Sequence, residues 1–118
     1  MKEFGLYLRE LRKKYKYSLQ DLSEQLGVGV PFLSLIENGK KLVPVDYADK
    51  LAEIMNLSEE EILELKNSID YSNKKIQIDM DNMTDEQKEV SIYFARSIQG
   101  ASPELLEELR KLLEGKDK

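Results

Sequence analysis

The stretch SLQDLSEQLGVGVPFLSLIENG, residues 18–39, leaves its chain few ways to fold. Ser18 with Asp21 three residues on is a helix N-cap whose carboxylate reaches back, a variant of the capping box. Leu19, Leu22 and Leu26 mark the inner face of a two-turn helix, and Gly27 is placed to end it in the left-handed conformation. A second short helix must begin almost at once. Gly29 stands at its N-cap, Pro31 fits a first turn whose amides lack partners, and Leu33 and Ile36 are its expected core contacts. Asn38-Gly39 also marks hairpins, but no alternating strand precedes it, so it closes the helix. Isolated helices under about 12 residues are marginal in water, so both need neighbours.

The flanking sequence supplies them. Phe4, Leu8, Leu11 and Tyr15 fall at helical spacing ahead of the pair. Behind it, a helix from about Asp46 to Met55 turns Ala48, Leu51, Ala52 and Met55 inward, with Asn56 as its left-handed terminator. Ser58 and Glu61 then open a fifth helix with a capping box, striped by Ile62, Leu65 and Ile69. Character changes at Tyr71. Ile76, Ile78 and Met80 alternate with period two in a polar segment, which predicts a linker with a short extended piece or a single strand. Thr84 with Gln87 caps a sixth helix ending at Gly100, and Ser102-Pro103 starts a seventh carrying Leu105, Leu106, Leu109, Leu112 and Leu113. That leucine stripe either folds back on helix 6 or pairs with a second copy. The fold class is therefore all-α: a five-helix domain over residues 1–70, then a linker and two-helix extension over 71–118 joined by a partly extended linker.

Composition narrows the chemistry. With neither cysteine nor histidine in its 118 residues, the chain has no thiolate nucleophile, no disulfide and no usual zinc site, and it lacks the commonest neutral-pH base. An enzyme has little support, and no cofactor is expected. Glu59-Glu60-Glu61 are explained by capping and the helix dipole rather than by a metal. No apolar run reaches the roughly 20 residues of a membrane span, and MKEFGLYLRE is not a signal peptide, so cytoplasmic residence is expected. The net charge of −5 is uneven: residues 1–57 carry nine basic and eight acidic side chains, residues 58–118 nine and fifteen. An acidic whole with a near-neutral first half leaves room for a local basic surface.

Residues 4–57 resemble the lambda-repressor-like (XRE-type, Cro/CI-like) helix-turn-helix DNA-binding family. LRELRKKYKYSLQDLSEQLGV, LSLIENGKK and YADKLAEIMNLS carry the resemblance, over roughly half of the chain. It implies that residues 18–26 support a recognition helix at 29–37, lying in the major groove of double-stranded DNA. Ser18, Leu19 and Gln20 would meet a phosphate at a helix N-terminus. Asn38, Lys40 and Lys41 would meet the backbone beyond the recognition helix, and Arg12 would pair internally with Glu37. Lys13 and Lys14, at the end of helix 1, are further candidates for phosphate contact.

The positions matching the family's base-reading face are Gly29, Val30, Pro31, Phe32, Ser34 and Leu35, where relatives often carry Gln, Arg, Asn or Ser. Only Ser34 has a hydrogen-bonding side chain. Readout would then rest on apolar contact with thymine methyls, phosphate positioning and DNA shape. The resemblance implies a transcriptional regulator, a repressor on a palindromic operator, acting as a homodimer. The alternative is an antitoxin of a toxin–antitoxin module, whose acidic residues 71–118 bind a small basic toxin while the domain autoregulates.

Overall fold

The computed structural model describes residues 1–76 and 78–115. Among them the chain is all helical and holds no strand: α1 Phe4–Tyr15, α2 Leu19–Leu26, α3 Val30–Glu37, α4 Tyr47–Met55, α5 Glu59–Asn73, α6 Asp85–Ser97 and α7 Pro103–Gly115. It divides into two compact units, Met1–Ile76 and Gln77–Lys118.

Local chemistry sets the boundaries of the first unit. At α2, the Asp21 N–H donates to Ser18 Oγ at 3.0 Å while the Ser18 N–H donates to Asp21 Oδ2 at 2.9 Å. This closes the capping box, and those bonds hold the Asp21 carboxyl below its ordinary range. Ser58 and Glu61 repeat the device at α5. Lys16, Gly27, Asn56 and Lys74 end α1, α2, α4 and α5 in the left-handed region. At Gly27 the residue suits the need, whereas Lys16 adopts it at φ 61° and carries the steric cost of its Cβ.

The five helices close over one core. Phe4, Leu8 and Leu11 from α1 meet Leu22, Leu33, Ile36, Leu51, Leu65 and Ile69, all buried. Each such side chain contributes about 2 kcal/mol by leaving water. Gly5 sets how closely α1 approaches α3, because a Cβ there would stand 1.8 Å from the Glu37 carbonyl oxygen.

The sequence reading needs three corrections. Helix α5 runs past Tyr71 to Asn73, since its last turn bonds back into the first unit: the Phe4 N–H donates to Ser72 Oγ at 2.7 Å. The period-two residues Ile76, Ile78 and Met80 are exposed and form no strand; an extended segment without a neighbouring edge has nothing to bond. Gln77, between them, lies outside the described residues. Helix α6 ends at Ser97, and a 3-10 turn, Ile98–Gly100, replaces its expected last turn.

Within the second unit, Thr84 and Gln87 cap α6 reciprocally, and the Leu105 N–H donates to Ser102 Oγ at 3.1 Å at the start of α7. Neither helix buries a residue.

Candidate nucleic-acid interface

Helices α2 and α3 are joined by Gly27, Val28 and Gly29 alone, and α3 turns Leu33 and Ile36 into the core. Its other side faces out, with Pro31 exposed, Val30 at 38% and Leu35 at 37% exposure. Phe32 does not stand with them. About 100° per residue places it only about 40° from Ile36 on the helix, so it packs against the core, half-buried. The Lys41 ammonium lies 5.9 Å above its ring. Ser34 is half-buried and accepts from Asn38 Nδ2 at 3.4 Å.

Asn38 is exposed, but its side chain is already engaged. Its Oδ1 accepts from Arg9 Nη2 at 2.9 Å, and its N–H donates to the Ser34 carbonyl. The amides of Gly39 and Lys40 donate to Ile36 and Leu35, closing the end of α3. What the loop after α3 can still offer a ligand is the pair of ammonium groups on Lys40 and Lys41, which have no carboxylate partner among the described residues. At α2, Ser18 is consumed by its capping box. The first-turn amides of Leu19 and Gln20 have no preceding helical carbonyl to bond. The Gln20 side chain donates to Glu24 at 3.4 Å.

Arg12 and Glu37 do meet, with Arg12 Nε 3.2 Å from Glu37 Oε2 and Nη2 3.3 Å from Oε1. Arg9 joins them, its Nε 3.2 Å from Oε1, so two guanidinium groups flank a carboxylate that is only 6% exposed. Sequence reasoning missed Arg9, although its spacing of three from Arg12 puts both on one face of α1. The cluster ties the end of α3 to α1 and fixes the angle at which α3 stands.

Lys13 and Lys14 part company. Lys13 has no carboxylate partner among the described residues, whereas Lys14 Nζ lies 2.8 Å from Glu61 Oε2. Glu61 also accepts from the Ser58 N–H at 3.0 Å and from the Tyr15 hydroxyl at 2.7 Å. The Lys14 hydrogen bond, followed by those from Ser58 and Tyr15, holds the Glu61 carboxyl down at about 2. Lys14 is thus a structural partner of α5.

Residues 8–62 match the model of the family described as helix-turn-helix. The first unit holds a helix-turn-helix domain, similar to those of the lambda-repressor-like family. Over 52 residues, 44% of this chain, it is 44% identical to a Pyrococcus furiosus protein named as an HTH-type transcriptional regulatory protein. A Thermococcus kodakarensis protein of like name is 36% identical over 76 residues, 64% of this chain. The HTH-type transcriptional regulator SinR of Bacillus subtilis is 29% identical over 68 residues, 57% of this chain. The chain spans less than two thirds of each relative, the matched stretch covering 16%, 22% and 61% of them in that order. No solved structure matches significantly. Within the matched stretch, α2 and α3 are the two helices joined by the tight turn. Among the described residues no helix is long and apolar enough to cross a membrane.

Proposed function

We propose that this chain is a sequence-specific transcriptional regulator, a repressor that binds a palindromic operator in double-stranded DNA as a homodimer. The observation that carries the reading is the outward side of α3. Val30, Pro31 and Leu35 are uncovered at its exposed face, and two lysines with no carboxylate partner among the described residues follow in the next loop. In this reading the Leu19 and Gln20 amides and the Lys40 and Lys41 ammonium groups take phosphates, and α3 enters the major groove from Gly29 onward. Ser18 acts by organising the α2 N-terminus, Asn38 by joining Arg9 to the end of α3, and Phe32 by seating the helix. Arg9, Arg12 and Glu37 hold the angle of approach without touching DNA. The names of the three relatives support the same role.

The second unit supplies dimerisation in this reading. Val90, Tyr93, Leu105, Leu106, Leu112 and Leu113 are exposed on two helices with no buried residue of their own. A second copy offers the same apolar faces, and two-fold pairing would set half-sites about one DNA turn apart. The acidic balance of residues 77–118, ten acidic against six basic side chains, favours the other occupant, a basic protein such as a toxin. Selection of bound duplexes from a random pool tests the proposal. An enriched inverted repeat supports a dimeric operator-binding protein, a single unrepeated site overturns the dimer, and no enrichment overturns sequence-specific binding.

A further inference from the structure

We propose that Asn73 is a positioning residue for DNA contact: its side-chain amide fixes the loop after α3 so that Lys40 and Lys41 are presented to the phosphate backbone. The inference rests on the phosphate role proposed above for those lysines.

Asn73 is the last residue of α5, thirty positions from the loop it holds. Its Oδ1 accepts the Val43 N–H at 2.9 Å, and its Nδ2 donates to the Val43 carbonyl at 2.8 Å. One side chain thus satisfies both backbone groups of one residue, as a neighbouring strand would, and fixes the peptide planes on either side. The loop has few other fastenings. At one end the Lys40 N–H donates to the Leu35 carbonyl at 2.8 Å, and at the other the Tyr47 N–H reaches the Pro44 carbonyl at 3.1 Å. Between them the Val43 side chain is in the core, while Leu42 and Val45 stand exposed. Lys41 lies two residues before the clasp and Lys40 three.

The clasp does not depend on the loop for its own place. The preceding residue, Ser72, accepts from the Phe4 N–H at 2.7 Å and donates to Glu3 Oε2 at 3.0 Å, which anchors the last turn of α5 to the start of α1. Asn73 therefore transmits a fixed position to the loop. A loop already held presents its lysines at low cost; once freed, its ordering costs about as much as a single phosphate contact returns, so a contact is forfeited and the loss appears in both affinity and salt slope.

The test is anisotropy titration of a fluorescein-labelled mixed-sequence duplex with the full chain, over a series of salt concentrations. Asn73→Ala should weaken low-salt binding about fivefold, by the cost of ordering freed side chains and loop. It should also lower the slope of log K against log salt by about 1, as loss of a phosphate contact does. Lys40→Ala with Lys41→Ala should lower the slope by up to about 2, and adding Asn73→Ala to that pair should change it little further. Wild-type affinity and slope in Asn73→Ala, beside a lowered slope in the lysine variant, would overturn the positioning role alone. A weakened affinity with an unchanged slope overturns it too, because general loss of fold does not remove particular phosphate contacts. An unchanged slope in the lysine variant overturns the phosphate assignment itself, and this inference with it. Asn73→Asp, which keeps the acceptor for Val43 N–H, is judged by the same criteria if Asn73→Ala does not fold.

Discussion

Residues 1–76 and residues 78–115 both fold leucine-bearing amphipathic helices and both use capping boxes, yet they differ in what those helices can enclose. The first unit surrounds its apolar side chains with five helices, and all fifteen buried hydrophobic residues of the described chain lie there. The second has two α-helices, and both leave their large apolar residues in water, with Leu112 at 71% and Tyr93 at 66% exposure. Two helices meet along one seam and cannot wall in a core from all sides. Good capping and good amphipathicity therefore suffice for a helix but not for a domain. The deficit in the second unit is the physical basis for expecting a second copy there.

The comparison breaks most visibly at Gly5. Gly5→Ala places a methyl group into the Glu37 backbone and should destabilise the first unit by on the order of 3 kcal/mol. Thermal melting by circular dichroism checks it; a melting temperature within a degree or two of wild type would show that α1 does not need this approach. Next in size is Leu105→Asp with Leu112→Asp, two residues seven apart on α7. Burying such carboxylates in a dimer seam should weaken self-association by about 100-fold or more, while the first unit melts as before. Loss of the first unit's transition in that variant would mean that the two units do not differ as described.

Replacing thymine by uracil in a selected operator acts on the first unit alone. It removes the thymine methyl groups, which in the proposed complex Val30, Pro31 and Leu35 meet, and should weaken binding by about 1 kcal/mol per contacted base. Equal affinity for the two duplexes would remove the apolar face of α3 from base recognition. The smallest effect concerns acid. Glu61, held at about 2 against an ordinary 4.5, favours folding at full strength above the higher value and ceases to do so as pH falls through the lower. Glu61→Gln should therefore flatten the loss of stability between about pH 4.5 and pH 2, read from melts across that range. An unaltered acid limb would show that Lys14 and Tyr15 do not hold this carboxylate.

What could be read in the sequence is what neighbouring residues decide among themselves. The capping pairs Ser18–Asp21, Ser58–Glu61 and Thr84–Gln87 lie three residues apart, and Gly27 and Asn56 terminate helices by their own backbone preference. These local signals, with helical spacing, were enough to bring out five helices and then two. Contacts across sequence were legible only where a pattern pointed at them. Arg12–Glu37 came through the family resemblance, whereas Arg9 and the Asn73–Val43 clasp arise from where folded helices happen to meet. Gly5 did leave a trace. A glycine inside FGLYL costs about 1 kcal/mol of helix propensity relative to alanine, which signals a close approach without saying to what. The alternation at Ile76, Ile78 and Met80 misled because period two describes a strand only when an edge is there to receive it.

The contrast between the units is tested most directly by sedimentation of the full chain beside a fragment ending at Ile76, which keeps Ser72 and Asn73 and with them the fastening of α5. The full chain should sediment as a dimer and the fragment as a folded monomer. A monomeric full chain, or a fragment that still dimerises, would contradict the claim that the second unit is completed by its counterpart in another copy.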